Sequence, residues 1–173
     1  MLGSFPPPKS RWCMDFYYPN FNNDMWRILG IVFYGERDRF VVSGEKRFDL
    51  EKIVDFLLGE GIGIYDAAEA VNRLKGNASD AFLEIAFPTD IRKLLSKIPG
   101  CRAVVTTGTL ATETVAMSLG IEAPPVGGKV PFSACDGELS LYRMPSSSRA
   151  YPLALERKAE AYRKKFSELD MLR

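Results

Sequence analysis

The sequence predicts an α/β protein with a three-layer α/β/α architecture, in which helices cover both faces of a mostly parallel central sheet. Three observations support this fold class. Apolar segments of strand length alternate with amphipathic segments of helix length along the chain. The β-branched run from Ala103 to Gly108 is typical of a strand buried on both faces. A length of 173 residues with 46% hydrophobic residues suits one compact domain, residues 1–173.

The first half of the chain carries two helix patterns and one strand pattern. Trp26, Leu29 and Val32 fall at helical spacing, and Asp49 is suited to cap a helix. In order, we predict a helix after Asn22 to about Tyr34, a charged surface segment over 35–48, a helix to about Gly59, a strand over 61–66 that ends in Asp66, and a polar connection over 72–80.

The second half continues the alternation of strands and helices. In order, we predict a short strand over 81–86, a helix capped by Thr89 that runs to about Ile98, the strand over 103–108, a helix to about Leu119, a proline- and glycine-rich excursion over 122–137, a last strand over 139–144, and a C-terminal helix over 152–169 with Pro152 in its first turn. In such a fold the site is expected at the carboxyl ends of the strands.

The predicted first strand is very short. Gly3, which ends it, is preceded only by Met1 and Leu2. A central strand of two residues leaves neighbouring backbone groups unpaired, at a cost of about 1–3 kcal/mol each if they are buried. We therefore expect the natural protein to continue upstream of Met1.

Composition excludes several kinds of chemistry. The chain contains no histidine, which excludes Ser-His-Asp and Cys-His catalysis and histidine-ligated metals for this chain acting alone. Cys13, Cys101 and Cys135 are odd in number and widely spaced, so we expect reduced thiols, with Cys101 buried beside a strand, and no metal site. No cofactor is expected.

The charge balance is nearly neutral, with 23 basic and 22 acidic residues and a net charge of +1. This argues weakly against a nucleic-acid partner, since such binders commonly carry a basic excess. The basic residues nevertheless cluster toward the C-terminus. Arg149 lies in a serine-rich loop, whereas the run from Arg157 to Lys165 is interpreted as a solvated helix face interleaved with glutamates.

Targeting signals are not visible in the sequence. There is no run of about eighteen apolar residues, so no transmembrane helix and no membrane partner are expected. The N-terminus lacks a basic region followed by an apolar stretch, which argues against a secretory signal. We expect a cytoplasmic monomer.

The N-terminal segment has the composition of a binding site. Its glycine and prolines stiffen a turn, its aromatic rings offer stacking surface, and its asparagines offer donors and acceptors to a heterocycle edge or a water. Backbone N–H groups at a helix start favour phosphate. Core packing around the helix start explains each aromatic residue equally well. The segment consists of Gly3-Ser4-Phe5-Pro6-Pro7-Pro8-Lys9-Ser10 and Phe16-Tyr17-Tyr18-Pro19-Asn20-Phe21-Asn22-Asn23-Asp24-Met25-Trp26.

This segment resembles the first motif of the uracil-DNA glycosylase superfamily, in particular its hypoxanthine-DNA and mismatch-specific branches. The matching residues are Gly3, Pro6, Ser10, Tyr17, Tyr18, Asn23 and Trp26. The run Met144-Pro145-Ser146-Ser147-Ser148-Arg149 resembles the second motif, a proline-serine loop after the last strand. The resemblance implies a uracil-DNA glycosylase-like fold. It also implies a monofunctional DNA N-glycosylase that flips out a deaminated or mismatched base of the hypoxanthine or uracil type and hydrolyses its N-glycosidic bond, leaving an abasic site.

The resemblance further implies roles for individual residues. Asn23 is the implied catalytic residue for positioning water or base, with Asn20 and Asp24 as alternatives and Asp24 as the nearby carboxylate able to act as a general base. Asn22 is expected to cap the helix, which leaves Asn23 for a ligand. Base contacts are implied for Gly3, Ser4, Phe5, Tyr17 and Tyr18, and DNA contacts for Ser10, Ser146, Ser147, Ser148 and Arg149.

Two departures from the family pattern narrow the expected activity. Many relatives orient the attacking water with an Asp or Asn two residues after the motif glycine, where this chain has Phe5. Some uracil-removing relatives carry a histidine in the second motif, where this chain has Met144-Pro145-Ser146. Strong uracil removal of that type is therefore not expected.

Three other functions fit the sequence. The fold could be a catalytically inactive module that binds damaged or single-stranded DNA. The pocket could serve a free nucleoside or nucleotide, for which a near-neutral charge is natural. The polar N-terminal loop could instead contact another protein. Binding without base release would identify the first, and base release from mononucleotides the second.

Overall fold

A computed structural model describes residues 1–74, 82–134 and 137–172. The chain divides into two compact units. The first, called here the sheet unit, consists of Met1–Pro6 and Tyr65–Met144, and the second, the helical unit, of Pro7–Ile64 and Pro145–Arg173. The predicted α/β class with a mostly parallel sheet is confirmed.

The sheet unit contains seven strands and two helices among its described residues. In chain order these are β1 (Leu2–Gly3), β2 (Tyr65–Asp66), β3 (Ala68–Arg73), β4 (Leu83–Pro88), α3 (Ile91–Leu95), β5 (Val104–Thr107), α4 (Thr109–Leu119), β6 (Lys129–Ala134) and β7 (Gly137–Met144). Five strands form one sheet in the order β2-β1-β5-β7-β6. Neighbouring strands from β2 through β7 run parallel, and β6 runs antiparallel to β7.

The two residues of β1 lie between β2 and β5. Leu2 is in register with Tyr65 on one side and with Thr106 on the other. Its neighbours extend this pairing, because Tyr65 N–H donates to the Met1 carbonyl at 3.0 Å and Ala67 N–H donates to the Gly3 carbonyl at 2.7 Å. The short strand is therefore paired on both sides.

Strand β5 is buried along its whole length, as the β-branched pattern predicted. One hydrophobic cluster surrounds it and includes residues of α3, α4 and β7. Burial of such apolar area contributes about 25 cal/mol per Å² to stability. The cluster consists of Leu2, Ala67, Ile91, Val104, Ala111, Val115, Ala116, Leu119, Phe132 and Leu141.

Several predicted elements of the sheet unit need correction. The polar connection expected over 72–80 is wrong at its start, because Asn72 and Arg73 belong to β3, which pairs antiparallel with β4; residues 75–81 lie outside the described part. The expected excursion over 122–137 contains β6, which forms a hairpin with β7. The α3 cap is Asp90, which accepts from Lys93 N–H at 3.0 Å, whereas Thr89 donates its hydroxyl to the Asp66 carbonyl.

The helical unit is built from α1 (Met25–Tyr34), α2 (Leu50–Glu60) and α5 (Leu155–Glu168). The predicted cap at Asp49 is confirmed by its bond from Lys52 N–H at 3.2 Å. The C-terminal helix begins at Leu155, three residues after the expected Pro152, and ends at Glu168. Aromatic rings fill the interior of the unit. Its buried aromatic residues are Trp26, Phe40, Phe48, Phe56, Tyr162 and Phe166.

Other sequence expectations concern membranes, metals and thiols. Across the described ranges, no helix is both long and apolar enough to span a membrane. The same residues contain no group of three or more His, Cys, Asp and Glu side chains placed to hold a metal ion. Cys13 and Cys101 are free thiols. The expected burial of Cys101 is wrong, because the residue is partly exposed. Cys135 lies outside the described residues.

Candidate functional site

The helical unit places Asn23 at the end of a tight polar turn. Asn23 N–H donates to the Asn20 carbonyl at 2.8 Å, and the Asn20 side chain accepts from Asn22 N–H at 2.9 Å. The Asn23 Oδ1 accepts from Met25 N–H, at the start of α1, at 2.9 Å. Local bonds of this kind are favoured at turns and helix starts because they satisfy otherwise unpaired amides. The turn therefore fixes both the backbone and the side chain of Asn23.

The expected helix cap at Asn22 is wrong. Asn22 is exposed, and its Oδ1 faces Arg149 Nη1 at 3.3 Å. Asn23 instead satisfies the first turn of α1. Within the described part of the chain, the Nδ2 group of Asn23 has no hydrogen-bond partner, and the residue is partly exposed. Asn23 precedes the N-cap residue Asp24, and its oxygen can satisfy the first N–H of α1 while its amide hydrogens remain available to a ligand.

Asp24 is buried beside Asn23 and faces two cations. Its Oδ1 accepts from Arg149 Nε at 3.0 Å, and its Oδ2 from Lys158 Nζ at 3.1 Å. The Asp24 side chain is 8% exposed, that of Lys158 is 1% exposed, and that of Arg149 is 45% exposed. Because both carboxylate oxygens already bind cations, the geometry favours a structural role for Asp24 over proton transfer.

The serine loop of the second motif lies against the same turn. Asp24 N–H donates to the Ser147 carbonyl at 2.9 Å, and Asn23 forms an antiparallel bridge with Ser148. Lys158 Nζ donates to the Ser148 carbonyl at 2.7 Å. The structure thus brings Asn20, Asn23, Asp24 and the loop Ser146–Arg149 together.

The serine side chains mostly serve the loop itself. Ser146 Oγ accepts from Ser148 N–H, and Ser148 Oγ accepts from Ala150 N–H, both at 3.2 Å. Ser146 and Ser148 remain partly exposed, whereas Ser147 is 2% exposed. A phosphate can therefore reach Ser146 and Ser148 at the surface, and the burial of Ser147 argues against the direct DNA contact predicted for it.

The buried side chain of Arg27 binds backbone carbonyls of the polar turn. Arg27 Nη1 donates to the Phe21 carbonyl at 2.8 Å and faces the Asn23 carbonyl at 3.3 Å. Its guanidinium carbon lies 4.5 Å from the ring centroid of Phe21 and 5.2 Å from that of Phe48, within cation–π range. Burial, followed by the charge of Arg149, lowers the pKa of Arg27. Sequence reasoning did not identify Arg27, since it occupies an ordinary position in the first turns of α1.

The two tyrosines of the first motif have different surroundings. Tyr18 adopts φ 48°, a left-handed conformation that is uncommon for a residue with a side chain. Its carbonyl accepts from Trp26 Nε1 at 3.3 Å, and its ring packs edge-on against Trp26 with centroids 6.2 Å apart. Tyr17 contacts Phe16 edge-on at 5.2 Å. Both are partly exposed, so each keeps surface for stacking on a base.

Other first-motif residues lie earlier in the N-terminal segment. Ser10 is exposed within a short 3₁₀ turn, Lys9–Arg11, where a phosphate could contact it. Gly3, Ser4 and Phe5 belong to the sheet unit. Ser4 and Phe5 are partly exposed, and Gly3 is buried.

In the sheet unit, a second group of residues lies at the carboxyl ends of β1 and β2. Asp66 is the register partner of Gly3, and burial raises its pKa to about 6. The ring of Phe5 lies 5.8 Å from the guanidinium carbon of Arg73, which also donates to the Pro6 carbonyl. A carboxyl with a raised pKa at the carboxyl edge of a parallel sheet is typical of a functional site. Sequence reasoning placed Asp66 at a strand end without including it in the site.

Lys158 is the residue that sequence reasoning misplaced most. It was assigned to a solvated helix face, yet it is almost fully buried, as is Lys165. A signal was present: Lys158 and Lys165 fall at the same helical spacing as Tyr162 and Phe166, on the buried face of α5. The interleaved glutamates of α5 favoured the interpretation that the whole basic run is solvated.

Comparisons with known proteins support the fold. No family model matches the chain, and no curated protein sequence matches it. The chain is similar to the solution NMR structure of a putative uracil DNA glycosylase from Methanosarcina acetivorans, with a TM-score of 0.62 and 24% sequence identity. The similarity covers 98% of this chain and 88% of that one. The α/β fold with its mostly parallel sheet is therefore one that the protein from Methanosarcina acetivorans shares.

Proposed function

We propose that the protein is a monofunctional DNA glycosylase. It hydrolyses the N-glycosidic bond of a deaminated or mismatched base, of the hypoxanthine or uracil type, and leaves an abasic site. The observation that carries this proposal is the fixed placement of Asn23 beside the serine loop, through its bridge to Ser148. The fold shared with the putative uracil DNA glycosylase supports it.

In the proposed reaction, no side chain has to donate a proton to the target nucleobase or remove one from it. A target nucleotide leaves the stack at a cost of a few kcal/mol, and its base is then held by stacking and edge hydrogen bonds. Tyr17 and Tyr18 supply partly exposed rings for stacking. The Nδ2 hydrogens of Asn23 donate to a carbonyl on the base or to the attacking water.

Local charge favours the departing base. Asp24 carries one negative charge and faces the two cations Arg149 and Lys158, so the cluster keeps a net positive charge. As the glycosidic bond breaks, the base gains negative charge, which a fixed positive field stabilises. The half-exposed Arg149 is also able to contact a DNA phosphate.

Base release from defined duplexes tests the proposal. Labelled duplexes that carry hypoxanthine, uracil, xanthine or a G·T mismatch are incubated with the wild type and with Asn23→Ala, and alkali reveals abasic sites. We expect release from at least one duplex, with a loss of about a hundredfold or more in Asn23→Ala. Asn72→Ala, which changes an exposed asparagine on β3, serves as the matched control and should behave as the wild type.

Each other result points to a different function. Absence of release from every duplex contradicts the proposed enzyme. If DNA binding persists without release, the protein is an inactive DNA-binding module. If bases are released from mononucleotides and not from duplexes, the protein processes free nucleosides or nucleotides.

A further inference from the structure

We propose that Lys158 is a positioning residue that sets the distance between Asn23 and the serine loop. This inference rests on the proposed function for its kinetic consequences. Lys158 lies in the first turns of α5, and its ammonium group donates both to the Asp24 carboxylate and to the Ser148 carbonyl. It therefore touches both motifs of the site from a third segment of the chain.

The contacts of Lys158 converge on the residues next to Asn23. Asp24 follows Asn23 directly, and Ser148 is the bridge partner of Asn23. Lys158 Nζ lies 3.1 Å from Asp24 Oδ2 and 2.7 Å from the Ser148 carbonyl oxygen, which are ordinary charge-assisted hydrogen-bond distances. Loss of the ammonium group would remove the link that holds the turn at a fixed distance from the loop.

Arg149 cannot replace Lys158 in this role. It binds the other oxygen of Asp24, but its side chain is 45% exposed, whereas that of Lys158 is 1% exposed. If Arg149 turns toward a phosphate, Lys158 still neutralises Asp24 and still holds the Ser148 carbonyl. Lys158 thus keeps its contacts with Asp24 and Ser148, whereas Arg149 is able to exchange its contact with Asp24 for one with a phosphate.

Stability alone gives little reason to bury this lysine. The desolvation penalty of a buried ion pair often matches or exceeds the attraction, and well-packed apolar side chains can be as stable. What the charged pair supplies is a defined geometry between segments far apart in sequence. For a reaction that depends on orientation, displacement by about 1 Å can cost about a hundredfold in rate.

Hydrogen exchange tests the positioning without requiring activity. The variant Lys158→Met removes the ammonium group and keeps the length of the side chain. The matched control is Lys165→Met, which changes another buried lysine on the same helix, one that pairs with Glu168. We expect the Asp24 and Met25 amides, which donate to Ser147 and Asn23, to exchange about tenfold or more faster in Lys158→Met after correction for global stability. Equal exchange in the two variants overturns the inference.

Single-turnover kinetics then test the consequence for catalysis. At a temperature at which every variant is folded, we expect Lys158→Met to lower the base-release rate by about 10- to 100-fold with DNA affinity unchanged, and Lys158→Arg to restore part of it. Asn23→Ala should then cost much less in the Lys158→Met background than in the wild type. Additive effects of the two substitutions overturn the positioning role. If the wild type releases no base, the proposed enzyme fails, and the exchange experiment alone decides the role of Lys158.

Discussion

At the scale of single residues, the two ends of the Asn23 carboxamide have different roles. Its oxygen accepts from Met25 N–H, and its amide hydrogens face no protein partner among the described residues. A carboxamide can do this because it carries acceptors and donors on separate atoms. Substitution by alanine therefore removes the bond to the first N–H of α1 together with the proposed ligand contact, and loss of a helix-start bond of this kind costs about 0.5–2 kcal/mol.

The variant Asn23→Asp separates the role of the oxygen at the helix start from the role of the amide hydrogens toward a ligand. Aspartate keeps an oxygen for Met25 N–H, so we expect thermal unfolding close to that of the wild type, whereas Asn23→Ala should unfold earlier. If Asn23 donates to the base, the carboxylate repels the departing anion and base release falls by about a hundredfold or more. If Asn23 orients the water, release persists in Asn23→Asp. Loss of stability in Asn23→Asp equal to that in Asn23→Ala would contradict a stabilising bond from the residue-23 oxygen to Met25 N–H.

Asp66 should make stability depend on pH. Burial raises its pKa from 3.8 to about 6, so the folded protein holds the proton more tightly than the unfolded chain. Below pH about 4 both states are protonated. As the pH rises through about 6, the unfolded chain is favoured, and the free energy of unfolding falls by about 1–3 kcal/mol.

Asp66→Asn should remove that loss. We expect the variant to be more stable than the wild type at pH 8, by about 1–3 kcal/mol, with the difference shrinking toward pH 4. Urea unfolding at five pH values between 4 and 8 measures this. Asp55→Asn, at an exposed position of α2, should show the pH dependence of the wild type. A wild-type curve that Asp66→Asn reproduces would exclude burial of a destabilised carboxyl.

At the scale of elements, α1 is joined to the polar turn by Arg27. This side chain is 3% exposed and lies against the rings of Phe21 and Phe48, which also contact each other, while it binds backbone carbonyls of the turn. Its removal leaves a cavity beside the two rings and unpaired carbonyl groups. Both effects are destabilising in a buried setting.

We expect Arg27→Ala to lower the free energy of unfolding by about 2–4 kcal/mol, measured by urea denaturation. Arg39→Ala is the control, because Arg39 also stacks on an aromatic ring, that of Tyr34 at 4.5 Å, but its side chain is 42% exposed. That change should cost less than about 1 kcal/mol. Similar losses for the two arginines would show that burial is not the source of the effect.

Elements with local signals were predictable from the sequence. Helix α2 follows its cap at Asp49, and β5 follows its buried β-branched run. Strand β6 was not predictable, because its segment is rich in proline and glycine and its order comes from pairing with β7. The same holds for Lys158, whose partner Asp24 is 134 positions away in sequence. A local sequence pattern predicts which residues share one face of a helix. It does not predict which residues from distant parts of the chain contact that face.

The candidate site followed the same rule. The sequence placed Asn23, Asp24 and the serine loop in one site, because their types and order matched two motifs. It assigned the cap to Asn22, since either asparagine suits a helix start and only the backbone path decides which one faces Met25. Burial, which separates Lys158 from its solvated neighbours, depends on tertiary packing.

At the scale of the whole molecule, charge is nearly balanced, at +1 over 173 residues. If the proposed function holds, DNA affinity has to come from a few placed cations, since the molecule as a whole carries little positive field. Arg149 is the best placed among the predicted DNA contacts, because half of its side chain is exposed while Asp24 and Asn22 hold its position.

The salt dependence of DNA binding tests this view. Each phosphate neutralised by a protein cation adds about −0.9 to the slope of log K against log salt on duplex DNA. We expect Arg149→Ala to make the slope shallower by about 1, because one phosphate contact is lost while Lys158 still neutralises Asp24. Arg157→Ala is the control, since that side chain is 71% exposed and pairs with Glu160 on its own helix. A slope unchanged in Arg149→Ala, or reduced equally in Arg157→Ala, would show that binding depends on diffuse charge and not on the serine loop.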